Sequence, residues 1–598
     1  MKKLVIATGL FCTILGITFF SCKEKKISVE KSIELNLLDQ IDRFQSDCKL
    51  FLQTAEEGHA NEKRLQQLFL QTRLSYKKFE WAAEYFVPVV SRKVNGPPLQ
   101  ELEGSGEIIE PEGLQVIEGF LFPVYDISHK KDFIEQLKLL QVKCLKYQSY
   151  FKNTEIFSWQ VFDAVKLEIF RIMTLGITGF DNPLTRKSME ESAASLESLQ
   201  HVLYHYDDHK IEDPLNEHFG VAIKYLTENS DFNSFNRMEF LVNYCNSATR
   251  SLTELRDTLQ IHGFKFNRLL NQAAKTLFDT NTFNVNAFAP DFSANISKEK
   301  IALGEALFSD PILSGNGKRS CRSCHQPERA FADGLIKNTQ LDKSDLLERN
   351  TPTLINAALQ PALFYDLRVA SLEDQSHTVM QNKSEMHGSI MQSGKKLWSN
   401  KKYREGFLKA FPSEDQKGID TFEIMNVLGS YIRSLTLLNS RFDEYMRGNK
   451  ISMSQEEING FNLFMGKAKC ATCHYMPIFN GTFPPKYRSI ESEVIGVPAS
   501  LEGKTLDPDL GRYNIIPIES FKHAFKIPTV RNAARTAPYM HNGVFTDLDQ
   551  VMDFYNKGGG AGLGFLLENQ TLPKEKLDLT KKERDEIIAF IKSLDSRY

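Results

Sequence analysis

Cys321-Arg322-Ser323-Cys324-His325 and Cys470-Ala471-Thr472-Cys473-His474 decide the reading of this chain. Each is a C-x-x-C-H pentapeptide. Its two cysteines can take the vinyl groups of a haem as thioethers, and the adjacent histidine can then ligate the iron from the proximal side. A structural zinc site or a redox dithiol also uses C-x-x-C. Zinc, however, pairs it with a second such pair or with spaced histidines. A histidine directly after the second cysteine, twice, is what haem attachment requires and zinc does not. Two covalently bound haem c groups are therefore expected.

The flanks repeat weakly as well. Gly304-Glu305-Ala306-Leu307-Phe308 precedes Gly317-Lys318 and the first motif, and Gly460-Phe461-Asn462-Leu463-Phe464 precedes Gly466-Lys467 and the second. This predicts two cytochrome-c-like helical domains with one haem each, over 285–440 and 441–598. Thr580 followed by Glu583 marks a capped terminal helix running to Leu594.

Upstream, residues 30–275 read as helical throughout. Ile33, Leu37, Ile41, Phe44, Cys48 and Phe51 share one helical face, and Leu65, Leu68, Thr72, Phe79, Ala83 and Phe86 form another stripe. Ser91 to Glu112, with Gly96-Pro97-Pro98, reads as a loop. Asn281 to Ser297 lacks a period and reads as a linker. The expected fold class is thus mainly α: a separate N-terminal helical bundle followed by the two haem domains.

The N-terminus reads as an export signal. Lys2 and Lys3 precede the apolar stretch Leu4–Phe20, and Phe19-Phe20-Ser21-Cys22 is a loose lipobox. Residues 1–22 are then a lipoprotein signal peptide, with Cys22 carrying the lipid that anchors a periplasmic protein to a bacterial membrane. A retained anchor helix is the other reading, but the stretch is short for a span. Export agrees with c-type haem attachment, which occurs outside the cytoplasm. The net charge of −3 carries no nucleic-acid-binding signature. Cys48, Cys144 and Cys245, left after the motifs, the lipobox and Cys12, are open to partial pairing or to burial as thiols.

Many further segments resemble the bacterial di-haem cytochrome c peroxidases, in that family's order over about 285–598. They include Leu307-Phe308-Ser309-Asp310-Pro311, Ala330-Phe331-Ala332-Asp333-Gly334, Arg349-Asn350-Thr351-Pro352-Thr353, Phe364-Tyr365-Asp366-Leu367-Arg368, Pro528-Thr529-Val530-Arg531-Asn532 and Thr536-Ala537-Pro538-Tyr539-Met540-His541-Asn542-Gly543. The resemblance implies that the haem on His325 meets hydrogen peroxide and that the haem on His474 passes electrons. Its donor would be a small periplasmic cytochrome or copper protein. The resemblance also places an acid–base glutamate and a glutamine on the distal face, matched here by Glu385 and Gln375. Peroxide cleavage needs such a pair, so that water rather than hydroxide leaves. It implies a calcium ion held through Asn350, Thr536 and Pro538, with hard oxygen donors that suit it.

Three positions depart from the family pattern. No histidine lies between Gln326 and Asn350, where many members carry one that blocks the peroxide iron. The site is then open without reductive activation unless His377 or His387 takes that place, though both are expected as neighbours of the pocket. Tyr555 stands where peroxidases place a methionine on the second iron, as in the relatives that oxidise protein tryptophans to a quinone. Met552 and Met540 are rival ligands. Tyr365 replaces a tryptophan that lies between the haems.

Residues 30–275 weakly resemble imelysin-like domains. Glu112-Gly113-Leu114-Gln115-Val116-Ile117-Glu118 matches their G-x-H-x-x-E pattern, with Gln115 in place of histidine. His201, His205 and His209 could form a metal site or simply a polar helix face. The expected function is a di-haem cytochrome c peroxidase. The rivals are a protein-oxidising enzyme of the quinone-forming type and a di-haem electron-transfer protein, though a pure carrier needs no distal acid–base pair.

Overall fold

A computed structural model describes residues 27–57, 61–102, 108–206, 214–264, 267–412 and 416–597. Residues 1–22 with Cys12 and the Cys22 lipobox, and His209, lie outside them. The fold is mainly helical, with two short antiparallel strand pairs, Glu101–Leu102 with Ile108–Ile109 and Ser492–Glu493 with Phe525–Lys526. No helix among the described residues is long and apolar enough to cross a membrane.

The first helix, Val29–Glu56, starts where the Ser28 side chain accepts from the Lys31 backbone N–H. Its stripe from Ile33 to Phe51 is wholly buried. Asn61 caps the next helix, Glu62–Lys77, in the same way. Phe44, Tyr76 and Phe79 meet between these two helices with ring centroids 5.3–5.7 Å apart. Cys48 and Cys144 are buried thiols 3.7 Å apart between Val29–Glu56 and Lys130–Lys152, and Cys245 is buried elsewhere.

Two expectations need correction. The irregular segment begins at Gly96, because Pro88 opens a helix, Pro88–Asn95, that buries Ser91, Val94 and Asn95. The regular helices upstream end at Thr258 rather than near 275. The stretch from Leu269 to Phe283, which follows those helices and runs into the segment 281–297, is packed through turns. Asp279 accepts from the backbones of Lys275 and Thr276, a bridge joins Leu270 to Phe283, and the Arg447 Nε donates to the Phe278 carbonyl at 2.6 Å. Polar turn residues carry no periodicity, so a packed turn and a linker look alike in sequence.

Two apolar clusters organise the chain. One, from Leu303 to Ile432, surrounds the crossing of helices Lys298–Ser309 and Thr421–Ser434. The other surrounds the crossing of Gln455–Met465 with Lys581–Ser593, and it continues without a break into the N-terminal helices. Asn462 ties that junction. Its Oδ1 accepts from the Met238 backbone N–H at 3.0 Å and its Nδ2 donates to the Asn236 Oδ1 at 3.0 Å. The N-terminal helices therefore do not close a core of their own.

The weak sequence repeat has a physical cause. A Cβ at Gly304 would strike the Val427 carbonyl oxygen, and one at Gly460 would strike the Glu586 carbonyl oxygen. Each glycine lets two helix backbones touch at equivalent crossings ahead of the two motifs. Gly460→Ala is expected to lower the denaturation midpoint, at a cost of about 1–3 kcal/mol, as overpacking of a rigid contact does. An unchanged midpoint would mean that the helices can part without loss.

Candidate functional site

Both C-x-x-C-H segments fold the same way. Cys321–Ser323 and Cys470–Thr472 are single 3₁₀ turns. The His325 backbone N–H donates to the Cys321 carbonyl at 2.9 Å, and that of His474 to the Cys470 carbonyl at 2.9 Å. This stacks both cysteines and the histidine on one side of a tight turn. The His325 Nδ1 lies 3.0 Å from the Phe331 carbonyl oxygen and the His474 Nδ1 lies 3.0 Å from that of Pro528. Each Nδ1–H is thereby spent on the backbone, which fixes the tautomer and leaves Nε2 as the ligating nitrogen. Burial pushes His325 below its ordinary value and His474 down to about 4, so both rings are neutral, as iron ligation requires.

The two motifs open onto one cavity of about 1050 Å³. Its donor set and lining suit two haems: both cysteine pairs, both neutral histidines, apolar walls and a few polar side chains.

On the first-motif side, helix Leu372–Gln381 carries Gln375 to the cavity wall. That helix is held by Glu373, whose carboxylate accepts from both terminal nitrogens of Arg433 at 2.6 and 2.8 Å. The turn after it brings in Glu385, where the Asn382 Nδ2 donates to the Glu385 Oε1 at 2.6 Å. Arg319 pins the same turn by donating to the Glu385 carbonyl at 3.2 Å. Burial raises the Glu385 carboxyl above the usual carboxylate range, opposed by Asn382, Arg368 and Arg319. A carboxyl held in this way can both take and return a proton. His377 is half-buried and His387 exposed, and neither lines the cavity, although their chain neighbours Ser376 and Met386 do. Each points off a segment whose inward positions are taken by Gln375, Met380, Glu385 and Met386.

On the second-motif side, helix Leu548–Asn556 brings Tyr555 and the buried Met552 to the cavity, and Met540 borders it as well. Burial pushes the Tyr555 hydroxyl above its ordinary value. Tyr365 lines the cavity where the two motif regions meet, its carbonyl accepting from the Lys526 backbone N–H at 2.7 Å. Arg349 spans the same seam, donating to Asp366 at 2.6 Å and to Asp509 at 2.7 Å. Asn350, Thr536 and Pro538 all border the cavity. The Asn350 Nδ2 is engaged with the Leu335 and Ile336 carbonyls, at 2.8 and 3.2 Å.

Sequence reasoning missed two contributors. Glu493, on the short strand Ser492–Glu493, faces the second-motif part of the cavity, and burial pushes it up to about 7. No motif flags it. The N-terminal helices also wall the cavity, through Gln115, Phe180 and Arg186 among others. The Phe180 ring lies 6.2 Å from Tyr475, the residue after His474, and 5.7 Å from Phe483. Gly179, at φ +83°, permits the turn that delivers Phe180.

Elsewhere in these helices Gln115 is buried and donates to the Asn95 carbonyl at 3.0 Å, while Glu118 accepts from Thr185. The His201 and His205 rings lie edge to face at 5.6 Å. Among the described residues no group of three or more His, Cys, Asp or Glu side chains is arranged to hold a metal ion.

Residues 298–451 match the family model of di-haem cytochrome c peroxidases. The chain is 31% identical to the methylamine utilization protein MauG of Methylorubrum extorquens, over 50% of this chain and 79% of that protein. It is 31% identical to cytochrome c551 peroxidase of Nitrosomonas europaea, over 49% and 78% respectively. It is 28% identical to cytochrome-c peroxidase IdrP2 of Denitromonas iodatirespirans, over 50% and 81%. One solved structure, of a MauG-like protein associated with microbial copper homeostasis, aligns with a TM-score of 0.47 and 28% identity, over 51% of this chain and 92% of that one. With two haem-attachment turns on one cavity and relatives of this kind, the chain belongs to the di-haem cytochrome c peroxidase family.

Proposed function

We propose that this protein reduces hydrogen peroxide to water with electrons from a small periplasmic donor, a cytochrome or a copper protein. The observation that carries the reading is Glu385, a raised, hydrogen-bonded carboxyl on the same cavity wall as Gln375 and the first motif. The haems, when bound, supply the redox equivalents. Glu385 takes a proton from bound peroxide and returns it to the departing oxygen, while Gln375 orients the peroxide by hydrogen bonding. His325 would hold the iron of the haem at the peroxide site and His474 that of the haem at the electron-transfer site. Tyr365, at the seam, would relay charge between the two regions, shedding its proton when oxidised. Tyr555 would hold the His474-side iron as well, with Met552 and Met540 as rivals. Asn350, with the carbonyls of Thr536 and Pro538, would hold a calcium ion. A lipid on Cys22 keeps the protein at the periplasmic face of a bacterial membrane.

That no histidine lies between Gln326 and Asn350, and that His377 and His387 do not line the cavity, supports a resting site open to peroxide. A second reading, oxidation of a protein substrate as in the quinone-forming relatives, is favoured by Tyr555, because an oxygen ligand stabilises ferric iron where methionine favours ferrous iron.

One experiment separates these readings. The holoprotein is mixed with peroxide and a reduced cytochrome or dye, and donor oxidation is followed. Steady turnover without prior reduction, with a high-spin ferric signal at rest, supports the peroxidase. Negligible donor oxidation, with tryptophan oxidation in a bound protein, supports the second reading. Two low-spin signals, with activity only after half-reduction, would overturn the open site.

A further inference from the structure

Most cations bordering the cavity already have acidic or carbonyl partners. Arg349 is shared by Asp366 and Asp509, Arg368 reaches Asp366 at 2.6 Å, and Lys467 reaches Glu583 at 2.7 Å. Arg319 is spent on backbone carbonyls. Lys526 differs. It lies on the short strand Phe525–Lys526, and its backbone N–H is fixed on the Tyr365 carbonyl. Its ammonium turns to the cavity wall and donates to a neutral acceptor, the Gln360 Oε1, at 2.6 Å.

Lys526 is half-buried, and an ammonium drawn partly out of water without an acidic partner is costly, because an amide oxygen repays little of the lost hydration. The carboxylate that acts on it electrostatically is that of Asp366, whose Oδ2 already accepts from two guanidiniums at 2.6 Å each. The Asp366 Oδ1 is buried without a partner, yet the ammonium is not placed on it. Burial pulls Lys526 down to about 8, opposed by the charge of Asp366. The anions that belong in this cavity are the propionates of the haems that the two motifs attach.

We propose that Lys526 and Gln360 together bind a haem propionate at the seam between the two motif regions, beside Tyr365. Lys526 supplies the charge, and Gln360 holds the ammonium in place when it would otherwise be free to swing. An ammonium paired with a propionate lowers the negative charge felt by that iron and so favours its ferrous form. The Lys526–Gln360 pair is thus a positioning element of the electron path, acting through the cofactor rather than on peroxide.

Lys526→Met tests this in the holoprotein. Both haems should remain, counted by pyridine haemochrome, because attachment rests on the four motif cysteines. The midpoint potential of one haem should fall by a tenfold shift in its ferric-to-ferrous ratio, about 59 mV for one electron. The propionate bending band in the resonance Raman spectrum should move with it. Lys526→Arg should restore both readings. If Lys526→Met fails to fold, Gln360→Leu keeps the charge but frees the ammonium, and the propionate band should broaden or shift. Unchanged potentials and an unchanged band, with two haems present, would mean that Asp366 neutralises Lys526 and would overturn the assignment.

Discussion

Glu385→Gln should slow peroxide turnover by about 10²–10⁴-fold while both haems stay in place, the range that a positioned acid–base group contributes. The change keeps the side chain's shape and its contact with the Asn382 Nδ2, so the turn after helix Leu372–Gln381 should hold. It removes only the exchangeable proton. The pH profile gives a second check. Burial raises the Glu385 carboxyl, so the limb of the profile that reports its ionisation should lie above the ordinary carboxylate range. In Glu385→Gln that limb should vanish. A variant with undiminished peroxide turnover would make Glu385 a wall residue and leave the proton shuttle to be found elsewhere.

Arg531→Met should destabilise the second-motif region by about 3–5 kcal/mol, the usual cost of stripping one partner from a buried ion pair. The Arg531 terminal nitrogens donate to both carboxylate oxygens of Asp443, at 2.9 and 2.8 Å, and its Nε to the Pro477 carbonyl at 2.7 Å. Both side chains are shut off from water. Arg531 holds the Asp443 carboxyl below its ordinary value against the opposing pull of burial. A carboxyl depressed on folding stabilises the fold fully above the unfolded value. That contribution drains away as pH falls through the folded value. The share of wild-type stability contributed by this pair should therefore be lost only as pH falls below the ordinary carboxylate range. Without the guanidinium, burial raises the Asp443 carboxyl instead, and the lone carboxylate becomes a liability near neutrality. Denaturation midpoints against pH will show this. Equal midpoints for the two proteins at neutral pH would mean that the pair is dispensable.

How far the sequence could be read depended on the kind of signal each residue leaves. The motif histidines and the distal side chains of the first-motif region sit in short local patterns, and Glu385, Gln375, Tyr365 and Tyr555 all line the cavity. The apolar stripe from Ile33 to Phe51 is legible because burial on one helical face imposes a period. The end of the N-terminal helices was misjudged because Asp279, Thr276 and Thr282 hold a packed segment through side-chain turns, which leave no period. Lys526, Glu493 and Phe180 were invisible for another reason. Each acquires its meaning from a partner far along the chain, and a lone Lys, Glu or Phe in a sequence does not announce one.

The unbroken apolar core has a consequence for the order in which this molecule can be made. Asn462 closes on Asn236 across 226 positions, and the Lys486 ammonium closes on the Glu84 carbonyl across 402. The first-motif region is threaded between the two halves of one core. At typical synthesis rates of 5–20 residues per second, the segments that complete the early helices emerge roughly 10–80 s after them. During that interval their apolar face is without its mate, which makes them a client for a holding chaperone. The moment for joining a cofactor to the turn at Cys470–Thr472 comes before Gly466 settles against the Arg237 guanidinium and the early helices shut that wall. Haem delivery and final compaction are thereby put in sequence by the topology itself.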